Sequence, residues 1–380
     1  MKTKKKKFIV IIILIVTSII LTIFLYYNAF FHTVSIERPQ EPLKPYPYYS
    51  EEVTFQNTQA DITLHGTLTM PSKNGNYPVV ILISGSGPQN RDYEFSGHKP
   101  FLILANHLTT NGVAVLRYDD RVFGKSIEVL NESTIANFAT DITSAITYLK
   151  TRKEINKDKI GLIGHSEGGI VAPMVASTCD DVNFIVLLGG PGIEGEKVIL
   201  KQSELYPKVL GASKSEIKKS IAQWKQIIQM VTTSDNRDTL KADLVKFLEE
   251  TYDEIPSVMV PNNISKKLHV EFLSNRLSSA SFISLLNYNP VAILKKVTCP
   301  VLALNGEKDT QVTPKENSTG INSSLMKGGN TNVTIKEIPN LNHFFQECKT
   351  GSPIEYKTIE QTFSPIALKE ISDWILEKVK

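Results

Sequence analysis

The sequence predicts an α/β fold, a mostly parallel sheet with helices on both faces, and three observations carry that expectation. Short apolar runs at residues 78–84, 113–118, 160–164, 184–188, 301–305 and 333–338 lack the alternation of half-buried strands, as strands covered on both faces do. Helical patterns at 100–111 and 135–153 fall between the first of these runs, which is the spacing of strand-helix-strand units. The run at 160–164 ends in Gly164-His165-Ser166-Glu167-Gly168 and passes into a small-residue helical pattern, a G-x-S-x-G turn from strand to helix. Two leading strands, Val53 with Phe55 and then Ile62, Leu64, Gly66, Leu68 and Met70, alternate with polar residues and bring the expected count to eight.

Composition bounds the function classes. A chain of 380 residues with 41% hydrophobic and 21% charged residues can bury a large core in one or two domains. The net charge of +3 is set by Lys2 and the four lysines from Lys4 to Lys7; without residues 1–7 there are 37 basic against 39 acidic residues, so nothing points to nucleic acid. Cys179, Cys299 and Cys348 lie far apart, with no C-x-x-C spacing, and read as small buried hydrophobes; one disulfide stays open outside the cytoplasm, with no pair singled out. His65, His98, His107 and His165 never form the i, i+4 pair with glutamate used by zinc proteases, so neither a metal nor a cofactor is expected. Gly124-Lys125-Ser126 resembles the end of a phosphate loop, but the first glycine of that motif would fall on Asp119.

Taken in order, residues 1–7 form a lysine-rich tail. Residues 8–31 form an apolar run interrupted only by Thr17, Ser18, Thr22 and Asn28, long enough for a hydrocarbon core that needs about 20 residues. With the lysines as a positive-inside flank, this reads as a signal anchor that leaves the catalytic part outside the cytoplasm, with a cleaved signal peptide and a secreted protein as the alternative. Residues 32–50, carrying Pro39, Pro42, Pro45 and Pro47, read as an extended stalk. A core then spans 51–191 and 291–380. Between them, residues 192–290 lose the strand signal and become helical, an insertion placed to cap the carboxyl ends of the strands, where such sheets hold ligands.

The chemistry follows from the turn. A sharp strand-to-helix turn lifts Ser166 Oγ out of the sheet and aims the backbone N–H of Glu167 at the place where an oxyanion forms. A serine nucleophile needs a base and a carboxylate that orients the base. Only His269 and His343 follow Ser166; His269 falls inside the helical insertion, so His343, just after the strand at 333–338, is the candidate base. The turn after the strand at 301–305 reads Gly306-Glu307-Lys308-Asp309 and offers Asp309, preferred over Glu307, as the acid. A second oxyanion donor belongs to the loop Ser84-Gly85-Ser86-Gly87-Pro88, with Ser86 N–H chosen and Gly87 as the open neighbour. Arg117, Asp119, Asp120 and Arg121 read as a structural ion-pair turn.

These segments resemble the α/β-hydrolase superfamily, and within it the bacterial esterase and serine aminopeptidase-like branch. The resemblance rests on residues 84–92, Arg117-Tyr118-Asp119-Asp120-Arg121, Gly164-His165-Ser166-Glu167-Gly168-Gly169, residues 305–312 and Leu341-Asn342-His343, and it extends from about residue 51 to the C-terminus. It implies Ser166 as nucleophile, Asp309 as acid and His343 as base. Val122 departs from the glycine that usually follows Asp-Asp-Arg. The expected activity is a serine hydrolase acting on small or medium acyl esters. Aminopeptidase-like amide hydrolysis is the alternative within the class, with Glu167, Asp92 or acids of the insertion holding a free amine. A catalytically silent surface-binding module is the alternative from another class.

Overall fold

Eight strands form one sheet, in the order β1-β2-β4-β3-β5-β6-β7-β8. They are β1 (Tyr49–Asn57), β2 (Ile62–Met70), β3 (Tyr77–Ile83), β4 (Ala114–Tyr118), β5 (Ile155–His165), β6 (Phe184–Leu188), β7 (Val301–Gly306) and β8 (Val333–Ile338). The protein is seen in a computed structural model that describes residues 38–124 and 132–380. β1 with β2 and β2 with β4 pair antiparallel, and the remaining pairs are parallel. The tail at 1–7, the proposed anchor at 8–31 and Lys125-Ser126 lie outside the described residues. Among the described residues no helix is long and apolar enough to cross a membrane.

Helices α1 (Pro100–Thr110), α2 (Ile135–Thr151) and α3 (Gly168–Ala176) alternate with the strands. An inserted group follows: α4 (Gly195–Val209), α5 (Lys214–Thr233), α6 (Arg237–Glu250), α7 (Lys266–Leu277) and α8 (Ala280–Leu286). The chain then returns through α9 (Pro290–Leu294), α10 (Pro314–Lys327) and α11 (Pro365–Lys378). Successive side chains of a strand face opposite ways. Val79, Ile81 and Ile83 of β3 therefore join a cluster with Ile142 of α2, Ile170 of α3 and Ile321 of α10, while Val80 and Leu82 join Leu104 of α1 and Ile371 of α11. This is why the β3 run is apolar at every position. Val122, the departure from the usual glycine, is buried in the first of these clusters.

The inserted helices start where their sequences supply caps. Ser213 Oγ accepts from Glu216 N at 3.2 Å while Glu216 Oε2 accepts from Ser213 N at 2.9 Å, a reciprocal capping box at the start of α5. Asn236, Ser265 and Ser279 cap α6, α7 and α8 by the same chemistry. Ile227, Leu244, Val270 and Phe282 then close a separate apolar cluster of this group.

The expected stalk requires correction over its described part. From Arg38 onward the chain is held to the core by Arg38, Gln40 and Glu41 rather than standing free, although Leu43 is exposed, and β1 begins at Tyr49. The Arg38 guanidinium donates to the carbonyl oxygens of Ile359 at 2.8 Å, Ser96 at 2.9 Å and Lys357 at 3.2 Å. Gln40 donates to Phe363 O at 2.8 Å and accepts from Thr362 N and Phe363 N, and Glu41 pairs with Lys99 at 2.8 Å. Tyr48 is buried enough that its phenol is pushed up to about 12, with Tyr46 adding to the rise. Prolines suit this strap because its contacts to the core are made largely by the side chains of Arg38, Gln40 and Glu41 and do not call on the proline nitrogens. The three cysteines are free thiols, and burial pushes Cys299 up to about 12. Arg38→Ala strands three carbonyls that share one buried cation and should cost about 2–3 kcal/mol, read as a lower urea midpoint at unchanged slope.

Candidate active site

Ser166 follows the last residue of β5 and precedes α3, and its backbone is in the left-handed region at φ 54°. For a non-glycine residue this conformation costs of order 1–3 kcal/mol and persists only where the surroundings enforce it. They do so by proximity. A Cβ on Gly164 would sit 2.0 Å from Gly168 O, and one on Gly168 would sit 2.2 Å from Ile83 O. Only glycines at these positions let the helix start this close to the strand ends. Ser166 N donates to Leu188 O at 2.9 Å, which ties the turn to the adjacent strand end of β6.

The structure brings the expected partners to the same place. His343 Nδ1 and Asp309 Oδ2 are 2.7 Å apart, and both side chains are buried. Asp309 Oδ1 accepts from the backbone N–H of Gln311 at 2.8 Å and of Val312 at 2.9 Å, and Oδ2 also accepts from Asn305 Nδ2 at 3.4 Å, so with His343 four donors fix its orientation. Glu307, the other candidate acid, is exposed and accepts from Asn340 N at 2.9 Å, away from the imidazole. Gly189 shows how close these groups come to the turn: it follows Leu188, and a Cβ on it would lie 3.2 Å from both Asp309 Oδ2 and His343 Nδ1. Ser166 Oγ makes no hydrogen bond among the described residues. His269 lies on α7, with Nδ1 2.9 Å from Tyr252 Oη, and belongs to the inserted helices.

The loop at 84–88 lies against the serine. A Cβ on Gly85 would stand 3.1 Å from Ser166 Cβ. Neither Ser86 N–H nor Glu167 N–H finds an acceptor among the described residues, and the same holds for Gly87 N–H. Free backbone donors beside a serine are what an oxyanion requires. Ser86 Oγ donates to Glu167 Oε2 at 3.0 Å, so the two donor segments are bonded to each other. Burial raises the Glu167 carboxyl above its usual range, against the lowering effect of the Ser86 hydrogen bond and the Arg276 charge.

The ion-pair turn at 117–121 is only partly as expected. Arg117 pairs with Asp92, Arg91 with Asp119 at 2.7 Å, and Arg121 with Asp141 at 2.7 Å. Asp120 has no cation among the described residues. It accepts from Ser84 Oγ at 2.9 Å and Gln89 N at 3.2 Å, and burial raises it well above the usual carboxylate range. Sequence reasoning therefore missed a residue that braces the loop. The pairing of the Asp-Asp-Arg segment with the glycine-serine loop was a usable signal, since both leave neighbouring strand ends.

A cavity of about 420 Å³ lies among the inserted helices, lined by Trp224, Met259, Phe272, Leu273 and Arg276 among others, with Gln311 as its one lining residue from the core among the described residues. Gln311 connects it to the Asp309 turn, two residues away, and Gln202 Nε2 of α4 donates to Gln311 O at 3.0 Å. Among the described residues the lining contains no aspartate or glutamate.

With this geometry in hand, comparison with known proteins is informative. The model of the family described as serine aminopeptidase, S33, matches residues 99–347. Esterase EstD of Thermotoga maritima is 24% identical over 335 residues, covering 87% of this chain and 70% of that protein. A hypothetical protein of Pseudomonas aeruginosa superposes with a TM-score of 0.54 at 15% identity over 89% of this chain and 96% of its own. An esterase of Pyrococcus furiosus superposes at 0.51 and 16% identity, over 88% and 92%. The structural likenesses show the fold, and the sequence matches show a serine hydrolase.

The Glu167 carboxyl gives a pH prediction. A group whose pKa is higher folded than unfolded holds its proton more tightly in the native state. The associated stability is full below the unfolded pKa and is lost as pH rises through the folded one. Glu167→Gln keeps a partner for Ser86 without that ionisation. It should raise the melting temperature at pH 8 relative to wild type and leave it nearly unchanged at pH 4, as followed by calorimetry.

Proposed function

We propose, for a chain that belongs to the serine aminopeptidase S33 family of α/β-hydrolases, that it is a carboxylic ester hydrolase working through an acyl-enzyme. Ser166 Oγ attacks the ester carbonyl, and His343 takes its proton and returns it to the leaving alkoxide. Asp309 holds the imidazole by Nδ1, so Nε2 is left to face the serine. The backbone N–H groups of Ser86 and Glu167 bind the tetrahedral oxyanion. Water then attacks the acyl-enzyme by the same proton route in reverse.

The observation that carries the ester reading is the state of the carboxylates. An aminopeptidase needs one free to hold a cationic amine. Asp92 is committed to Arg117, and Glu167 to Ser86 with its ionisation opposed by burial. Arg276 is the cation of the largely apolar cavity wall, while burial lowers His269 and favours its neutral form, a setting that repels an amine and accepts an acyl chain. Ser166→Ala should lower hydrolysis of p-nitrophenyl butyrate by about 10³-fold or more, and Asp309→Asn by about 10²–10⁴-fold. Aminoacyl p-nitroanilides should turn over far more slowly than short and medium acyl esters. A higher kcat/KM on the anilides would reverse the choice.

Residues 8–31 support a second part of the proposal, that the enzyme is held to the cell membrane by a single span with its catalytic part on the extracytoplasmic side. The support is the length of the apolar run and the lysines before it. The full chain should sediment with membranes after carbonate washing, and a chain beginning at Arg38 should not. Recovery of the protein from the culture medium, shortened by cleavage, would favour the secreted alternative.

A further inference from the structure

Two buried polar side chains near the serine have no part in the proton route. Tyr93 is 4% exposed and His165 3%. Tyr93 Oη and His165 Nδ1 are 3.1 Å apart, and His165 Nε2 lies 2.8 Å from the carbonyl oxygen of His343. A carbonyl only accepts, so His165 carries its proton on Nε2, and its bare Nδ1 accepts from the Tyr93 hydroxyl. The other side of that hydroxyl meets Gly85: the Gly85 N–H opposes the rise that burial imposes on the phenol, and a Cβ at Gly85 would sit 2.3 Å from Oη. The string runs from the loop at 84–88, through Tyr93 and His165, to the backbone of His343.

Backbone conformation singles out the same residue. Tyr93 is held at φ 57°, a left-handed conformation that a bulky side chain rarely adopts. Its ring is fixed by Phe101 at 4.9 Å, His165 at 5.4 Å and Phe344 at 5.6 Å. His165 also packs 4.6 Å from the His343 ring. Burial and the neighbouring His343 hold His165 neutral, so the string carries no charge of its own.

We infer that Tyr93 and His165 are positioning residues, a hydrogen-bonded strut that sets the oxyanion loop and the His343 loop at a fixed separation across Ser166. This rests on the proposed roles of Ser166, His343 and Ser86. The strut touches no substrate atom. It acts on the placement of donor and base in the transition state, so its loss should lower kcat and leave KM almost unmoved.

The test uses the purified full-length chain in detergent, with p-nitrophenyl butyrate as substrate and active sites counted by a fluorophosphonate probe. Tyr93→Phe retains the ring packing and removes only the hydroxyl. Per counted site it should lower kcat about 10-fold to 100-fold, with KM within about twofold, and weaken an aliphatic trifluoromethyl ketone, which mimics the oxyanion, by the same factor. His165→Leu should behave likewise. His165→Gln, which can still donate an N–H to His343 O, should return kcat to within about fivefold of wild type. Unchanged kcat in Tyr93→Phe and His165→Leu overturns the strut, as does a rise in KM alone. Equal damage by Gln and Leu at 165 also overturns it, since packing rather than the hydrogen bond would then be at stake. If Tyr93→Phe does not fold by circular dichroism, the His165 pair decides. A wild-type protein that neither hydrolyses the ester nor takes the probe overturns the proposed roles and the strut together, before any variant is compared.

Discussion

The site depends on the close approach of the first turn of α3 to the ends of β3 and β5. Gly168 lies under Ile83 O, Gly164 under Gly168 O, and Gly169 against Gly190. No side chain fits in any of these places. The helix can therefore begin directly over the sheet, which forces Ser166 into the left-handed region and leaves Glu167 N–H without an acceptor among the described residues. Strain at the serine is a consequence of that approach, and the two core clusters on either face of the sheet supply the stability that maintains it.

Around this point each neighbouring strand end contributes one constraint. The loop after β3 is braced by Ser84 on Asp120 and by Ser86 on Glu167. The turn after β7 holds Asp309 by two backbone N–H groups, and the segment after β8 presents His343 to it. Asn342 steadies that last segment by accepting from Phe344 N and Gln346 N, each at 3.0 Å. Four separate loops thus meet with most of their polar groups already satisfied, a preorganised arrangement that needs little rearrangement during reaction.

The parallel strands and the pairing of Asp309 with His343 near the Ser166 turn were legible in the sequence because both arise from short patterns with one physical meaning. Unbroken apolar runs require burial on both faces, and chain order restricts the base to the two histidines C-terminal to the serine. The choice of Asp309 over Glu307 also agrees with the geometry, since Glu307 points to Asn340. The strap at 38–48 was not legible. Its prolines and exposed-looking polar residues have the composition of a spacer, and the partners of Arg38 and Gln40 are backbone carbonyls and amides more than 300 residues away for the most part. Asp120 and Tyr93 were hidden for a related reason. A carboxylate beside arginines reads as an ion pair until the structure shows that the arginines are used elsewhere.

The strap has a mechanical consequence. A protein tethered through its N-terminal side receives any pull at that end of the globular part. Were β1 the first element to bear it, its hydrogen bonds to β2 would open one after another, like a zip. Arg38 and Gln40 instead grip the segment at 357–363 and the loop at Ser96, so the load falls on several bonds at once and across distant parts of the chain. Bonds loaded in parallel rupture together and resist more force than bonds loaded in series. Under the tether proposed above, a pull arriving at residue 38 would meet these bonds before it reached β1 and the edge of the sheet.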